Sequence, residues 1–226
     1  MLNISHPIHP RDILAEVKAI LFDMDGVIVF NTEFHKIALQ SFCKSKGFEL
    51  SESDMAEKIY GRTNREWILN LLGKDLEEDL IKAYATEKEF IYRELYKNHI
   101  SAAPGIEMFL KKIKTSGVPL AIGTSAPPEN VEFTLTRTNL KEYFSEIVDD
   151  TMISKSKPDP EIYLKAAERL GVKADECLVF EDSKSGILAG LNAGAKVIAL
   201  SSTLSLDELY NLNPHAVIDD FHILMS

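Results

Sequence analysis

Ala19-Ile20-Leu21-Phe22-Asp23-Met24-Asp25-Gly26-Val27 decides how the rest of the chain is read. Ala19 to Phe22 is apolar on both faces, as a strand buried in a parallel sheet must be. Side chains alternate along a strand, so Asp23 and Asp25 point the same way, with Cα atoms about 6–7 Å apart. Two carboxylates that close repel each other, and one is driven towards its neutral form unless a cation intervenes. Hard cations such as Mg²⁺ take such oxygen ligands. A strand end followed by an acidic Asp-Gly turn fits the same letters, so the choice rests on the rest of the chain.

The 226 residues allow one large domain or two smaller ones. A content of 45% hydrophobic and 27% charged residues suits a water-soluble globular protein that builds its core without staples. Cys43 and Cys177 are far apart and outside any metal-ligand spacing, so both read as free thiols of a reducing cytoplasm. A net charge of −10 disfavours nucleic acid and anionic membrane as partners. A phosphate-bearing substrate must then be drawn in locally, by a metal or a few placed cations. Residues 1–16 have no continuous apolar segment and read as an extension rather than a signal peptide, with a helical turn near Asp12-Ile13-Leu14. No stretch approaches the ~20 apolar residues of a membrane span.

Beyond Val27 to Phe30, a second apolar run, no strand pattern appears until residue 101. Phe34, Ile37, Ala38, Ser41 and Phe42 form a helical stripe that Gly47 stops. Ser51 to Tyr60 predicts a shorter helix before Gly61. Thr63 is placed to cap a helix carrying Trp67, Ile68, Leu71 and Leu72. Leu76 to Lys97 predicts a long charged helix, with Leu80, Ala83, Tyr84, Phe90, Ile91 and Leu95 as its apolar residues. Residues 31–101 are thus expected to form a helical domain inserted after the first strand. From Pro104-Gly105 onwards strands and helices alternate, with strands at 119–123, 146–148, 178–180, 196–200 and 216–218. Alternation of this kind implies a parallel sheet covered on both faces. The expected architecture is α/β: a Rossmann-like doubly wound core of residues 17–30 and 102–226, with an inserted all-helical cap.

Sites in such sheets lie beyond the carboxyl ends of the strands. Asp23 and Asp25 follow the first strand, Gly123-Thr124-Ser125 the second, and Glu181-Asp182-Ser183 the strand at Leu178. Ser156-Lys157-Pro158-Asp159-Pro160 precedes a helix. Taken singly these are a cap, an acidic turn, a surface lysine and a proline helix start. Together, at one sheet edge, they meet the needs of phosphoryl transfer: a nucleophile, an acid, a metal and fixed donors. Asp23 and Asp182 can share Mg²⁺, Asp25 can shuttle a proton, and Thr124 and Lys157 can hold phosphate oxygens.

Asp23-Met24-Asp25-Gly26-Val27, Gly123-Thr124-Ser125, Ser156-Lys157-Pro158-Asp159-Pro160 and Phe180-Glu181-Asp182-Ser183 resemble, in order, the four motifs of the haloacid dehalogenase superfamily. The resemblance runs from Lys18 onwards and is to the branch with a helical cap, which holds beta-phosphoglucomutase and sugar-phosphate phosphatases. It implies that Asp23 is a nucleophile forming an aspartyl phosphate and that Asp25 is the acid/base, its carbonyl also touching Mg²⁺. It further implies that Thr124, with Ser125 beside it, binds phosphate and that Lys157 stabilises the phosphoaspartate. Asp182 becomes a metal ligand and Glu181 a ligand or outer-shell group. His35 matches a cap-proximal histidine of the mutase branch, and fits equally a half-buried helix histidine.

Four positions depart from that branch. Phe30 stands where an acid or small polar residue is usual. Asn64 replaces the arginine of the mutase cap motif, with Arg62 and Arg65 as its possible substitutes at the substrate. Ala126-Pro127 replaces Ser-Lys, so a lysine for a second phosphate is missing. The expected function is therefore a Mg²⁺-dependent phosphatase for a small phosphorylated metabolite, foremost a sugar phosphate. A beta-phosphoglucomutase-type isomerase is the alternative. A non-catalytic phosphate-binding regulator ranks last, since no essential acid is absent. The cap is expected to swing on linkers near 29–32 and 101–104, and the chain to act as a monomer or weak dimer.

Overall fold

The computed structural model describes residues 9–59 and 62–225. Two compact units divide the chain, one of Met1–Phe30 with Ser101–Ser226 and one of Asn31–Ile100. The first opens with α1 (Pro10–Leu14) and β1 (Ala19–Phe22). The second holds α2 (Thr32–Ser45), α3 (Glu52–Lys58), α4 (Asn64–Leu72) and α5 (Glu78–Tyr96). The first then resumes with α6 (Ile106–Ser116), β2 (Leu120–Gly123), α7 (Pro128–Thr138), β3 (Glu146–Val148) and α8 (Glu161–Arg169). It closes with β4 (Cys177–Glu181), α9 (Lys184–Asn192), β5 (Lys196–Leu200), α10 (Leu206–Asn211) and β6 (Ala216–Ile218).

All six strands lie parallel in the order β3-β2-β1-β4-β5-β6. This is the doubly wound order, in which the chain direction across the sheet reverses beside β1. The short apolar runs become strands because both of their faces are covered. Ala19, Leu21 and Val179 face Ile162, Tyr163 and Ala166 of α8 and Ile187 of α9. Phe22 and Phe180 point the other way and stack at 5.1 Å, joined by Phe109 of α6 and by Phe221. β1 pairs with β2 on one side and β4 on the other, with Phe22 opposite Phe180. The acids that follow these two central strands therefore leave the sheet side by side.

The helical unit has its own core of Leu39, Phe42, Met55, Ile59, Trp67, Ile68 and Ile81. Two of its helices start on reciprocal capping boxes, Ser51 with Asp54 and Thr63 with Glu66. Of the apolar residues named for α5, Tyr84 and Ile91 pack against this core. Leu80 and Phe90 are exposed, and the buried residues are Ile81, Lys88, Glu89, Tyr92 and Tyr96. A buried ion pair took positions that the apolar count had skipped. The run Val27–Phe30 contributes no strand of its own; Val29 makes isolated bridges to Asp25 and Ala102. Tyr60, Gly61 and residues 1–8 lie outside the described residues. Cys43 and Cys177 are free and buried. Among the described residues no helix is long and apolar enough to cross a membrane.

Candidate active site

The carboxyl ends of β1 and β4 bring the acids together. Asp23 N–H donates to Phe180 O at 3.0 Å, continuing the ladder one residue past β1. Gly26 then reverses the chain with φ +76°, and any Cβ there would sit 1.9 Å from Asp182 Oδ2. Only glycine serves at that position, on both counts.

Lys157 joins the two strand ends. Its Nζ donates to Asp23 Oδ1 at 2.5 Å and to Glu181 Oε1 at 2.7 Å, and lies 5.0 Å from the Tyr163 ring centre. Glu181 is held on every side. Its Oε1 also accepts from Tyr163 OH at 2.9 Å, and its Oε2 accepts from the N–H groups of Asp182 and Ser183, each at 2.9 Å. Gly186, in the first turn of α9, permits that approach: a Cβ there would overlap Glu181 Oε1. Both Glu181 oxygens are thus occupied, and Glu181 anchors Lys157.

Asp182 Oδ2 accepts from Thr203 Oγ1 and lies 3.4 Å from Ser202 Oγ. Asp25 is half-buried beside the turn. Thr124 is buried at the end of β2, where its N–H donates to Val148 O and its Oγ1 accepts from Ala126 N–H at 3.1 Å. Ser125 is exposed next to it.

These charges do not balance. Burial drives the Asp23 carboxyl well above the usual carboxylate range; Lys157 opposes this, and Glu181, Asp182 and Asp25 add to it. Burial, reinforced by Glu181, pushes Asp182 up to about 7. Lys157 resists its own burial because Asp23 and Glu181 hold it firmly as an ammonium. Lys157 thus meets two carboxylates while Asp182 and Asp25 add negative charge at Asp23, and a divalent cation is the natural complement. Among the described residues no three His, Cys, Asp or Glu side chains stand together as a ready metal cage. Mg²⁺ needs no such cage, since it keeps several waters and binds through one or two carboxylates. Among the described residues Asp23 Oδ2 and Asp182 Oδ1 accept no hydrogen bond, and this pair of hard oxygens fits such an ion.

The helical unit places the other expected residues differently. Arg65 forms a forked pair with Glu78 at 2.5 and 2.7 Å, and Arg62 donates to Glu57 O at 2.7 Å. Both arginines are thus engaged within the helical unit. His35 stacks on Tyr92 at 3.8 Å, and its Nδ1 lies 2.9 Å from Lys88 Nζ. Sequence reasoning passed over Tyr163, Ser202, Thr203 and Lys88. The polar run Ser201-Ser202-Thr203 directly follows β5, so the rule that picked out the other strand ends applies there too.

A family model described as haloacid dehalogenase-like hydrolase matches residues 20–200. The chain belongs to that family. A Thermotoga maritima protein named phosphorylated carbohydrates phosphatase is 35% identical over 80% of this chain and 84% of its own. The beta-phosphoglucomutase of Bacillus subtilis is 31% identical over 79% of this chain and 80% of its own. A solved haloacid dehalogenase hydrolase, family IA, variant 3, from Entamoeba histolytica superposes with a TM-score of 0.84 at 33% identity, covering 92% of this chain and 98% of that one. Within the haloacid dehalogenase-like family the chain is a hydrolase enzyme, and the site at the ends of β1 and β4 is where its chemistry is sought.

Proposed function

We propose that the chain is a Mg²⁺-dependent phosphatase that hydrolyses a small phosphomonoester, foremost a sugar phosphate, through an aspartyl phosphate on Asp23. One observation carries the reading. Lys157 holds Asp23 by Oδ1, and among the described residues Oδ2 accepts no hydrogen bond. A carboxylate held by one oxygen and free at the other is oriented for in-line attack. The name of the Thermotoga maritima relative points to the same substrate class.

In the first step Asp23 Oδ2 bonds to phosphorus as the ester P–O bond breaks. The departing alkoxide takes the proton of the Asp25 carboxyl and leaves as an alcohol. In the second step water bonds to phosphorus and gives its proton to Asp25. The acyl phosphate P–O bond breaks, and inorganic phosphate and the Asp23 carboxylate are released. Lys157 keeps Asp23 aligned and offsets charge, anchored in turn by Glu181. Thr124 offers its hydroxyl to a phosphate oxygen. Asp23, Asp182 and the Asp25 carbonyl are the groups that would hold Mg²⁺, which supplies positive charge to the phosphate and the attacking carboxylate.

The test separates hydrolysis from isomerisation. Beta-glucose 1-phosphate is supplied with catalytic glucose 1,6-bisphosphate, alongside a panel of phosphorylated metabolites. Free phosphate is expected, lost on chelation of divalent metal and lost in Asp23→Asn. Glucose 6-phosphate as the product would replace the phosphatase by the mutase. Unchanged turnover in Asp23→Asn would remove the aspartyl phosphate.

A further inference from the structure

The loop that follows β5 is fixed at both ends. Ser201 Oγ donates to Asp219 Oδ1 at 2.6 Å, and Ser205 caps α10 through the Glu208 N–H. Between these anchors two hydroxyls turn towards the acidic site. Ser202 Oγ donates to Gly26 O at 2.5 Å, on the turn that follows Asp23 and Asp25. Thr203 Oγ1 donates to Asp182 Oδ2. One loop therefore grips the turn after β1 and the carboxylate after β4 together.

We propose that Thr203 is a positioning residue for the cation site, with Ser202 tying its loop to the Gly26 turn. A carboxylate bound at one oxygen only can rotate about its Cβ–Cγ bond and swing its free oxygen out of place. Thr203 occupies Oδ2 and so commits Oδ1, which accepts no hydrogen bond among the described residues, to a ligand. Gly26 keeps the approach open, because a side chain there would displace the same carboxylate. The Ser202 bond stops the loop from drifting away from the turn. Partners of this outer kind govern metal affinity by orienting the ligands they touch. Thr203 is exposed at the mouth of the site, so the change that tests it disturbs no core packing.

This inference rests on the reading of Asp23 and Asp182 as Mg²⁺ ligands, and the experiment keeps the two apart. Mg²⁺ alone is titrated calorimetrically into the full chain, without substrate, for wild type, Thr203→Val and Thr203→Ser. Thr203→Val keeps the shape and removes the donor. It is expected to bind Mg²⁺ about tenfold more weakly, and Thr203→Ser to restore wild-type affinity. If wild type takes up no Mg²⁺, the cation reading falls and Thr203 loses its role with it. If wild type binds and Thr203→Val binds as well, the positioning role alone is overturned. Weak binding by both variants would also overturn it, since the hydroxyl would then not be what matters.

Discussion

Lys157 in the α/β unit and Lys88 in the helical unit are both buried ammonium groups, and they are buried to different ends. Lys157 touches two carboxylates, Asp23 and Glu181, and Asp182 and Asp25 act on Asp23 in turn. Lys88 touches one, Glu89 at 2.8 Å, and the ring nitrogen of His35. Glu89 accepts further from Asn64 at 2.9 Å, and Asn64 accepts from the Trp67 indole N–H at 3.0 Å. Around Lys88 charge is matched and every group is fastened to a neighbouring helix. Around Lys157 negative charge is in surplus, and among the described residues Asp23 Oδ2 and Asp182 Oδ1 accept no hydrogen bond. The same materials build a structural clasp in one unit and a carboxylate-rich site suited to a cation in the other.

The sharpest way to break that contrast is to delete each ammonium. Lys157→Met is expected to lower phosphate-ester turnover by about 10²–10³-fold, the usual loss of a preorganised charge at a reacting group. Adding Glu181→Gln relieves the stranded anchor but does not recover turnover. Steady-state assays on the pair decide this; a double variant with wild-type activity would reduce Lys157 to a structural role.

Lys88→Met leaves the Glu89 carboxylate buried without its partner. Breaking such a pair from one side costs about 3–5 kcal/mol, whereas replacing both members with apolar residues is near neutral. Urea unfolding followed through Trp67 reads this directly. Trp67 is the only tryptophan and is buried in the helical unit. Lys88→Met should lose stability, and the double variant with Glu89→Leu should regain most of it. Equal loss in both would show that the network specifies packing beyond its charge.

The two lysines were also unequally legible. Lys157 lies in a Lys-Pro-Asp-Pro run ahead of a helix, and Asp23, Thr124, Glu181 and Asp182 each follow a short apolar run. Strands buried on both faces announce themselves by composition, and their polar successors mark the sheet edge. Lys88 sits among Glu87, Glu89 and Lys82 in a helix whose charged letters read as solvated. Its signal is positional: Ile81, Lys88, Tyr92 and Tyr96 recur at helical spacing on the buried face. For Arg62 and Arg65 a motif offset says nothing of the Glu57 carbonyl or the Glu78 carboxylate that meet them. Thr203 follows β5 and was open to the same rule, but its meeting with Asp182 needed the sheet order that sets β5 beside β4.

Acid should expose the clasp. Burial alone would raise Glu89, but Lys88, His35 and Asn64 outweigh it and take its pKa down to about 2, from 4.5 in the open chain. A lowered folded-state pKa means stability that is fully present above about pH 4.5 and lost as pH falls towards 2. The contribution is on the order of 3 kcal/mol. Trp67-detected urea midpoints measured between pH 6 and pH 3 should fall accordingly. Glu89→Gln should flatten that part of the slope; an unchanged slope would place the acid sensitivity elsewhere.

The smallest effect belongs to Tyr163. Its hydroxyl is one of five donors on Glu181, the others being Lys157, two backbone N–H groups and Ser183 Oγ. Tyr163→Phe keeps the ring that packs against Gly123 and removes only that donor. Glu181 is left satisfied, so the loss is that of one ordinary hydrogen bond, about 1 kcal/mol in stability. Turnover should fall far less than in Lys157→Met, because the ammonium keeps both of its carboxylates. A drop in kcat as deep as that of Lys157→Met would mean that the tyrosine, not the crowd of other donors, sets where Glu181 holds the lysine.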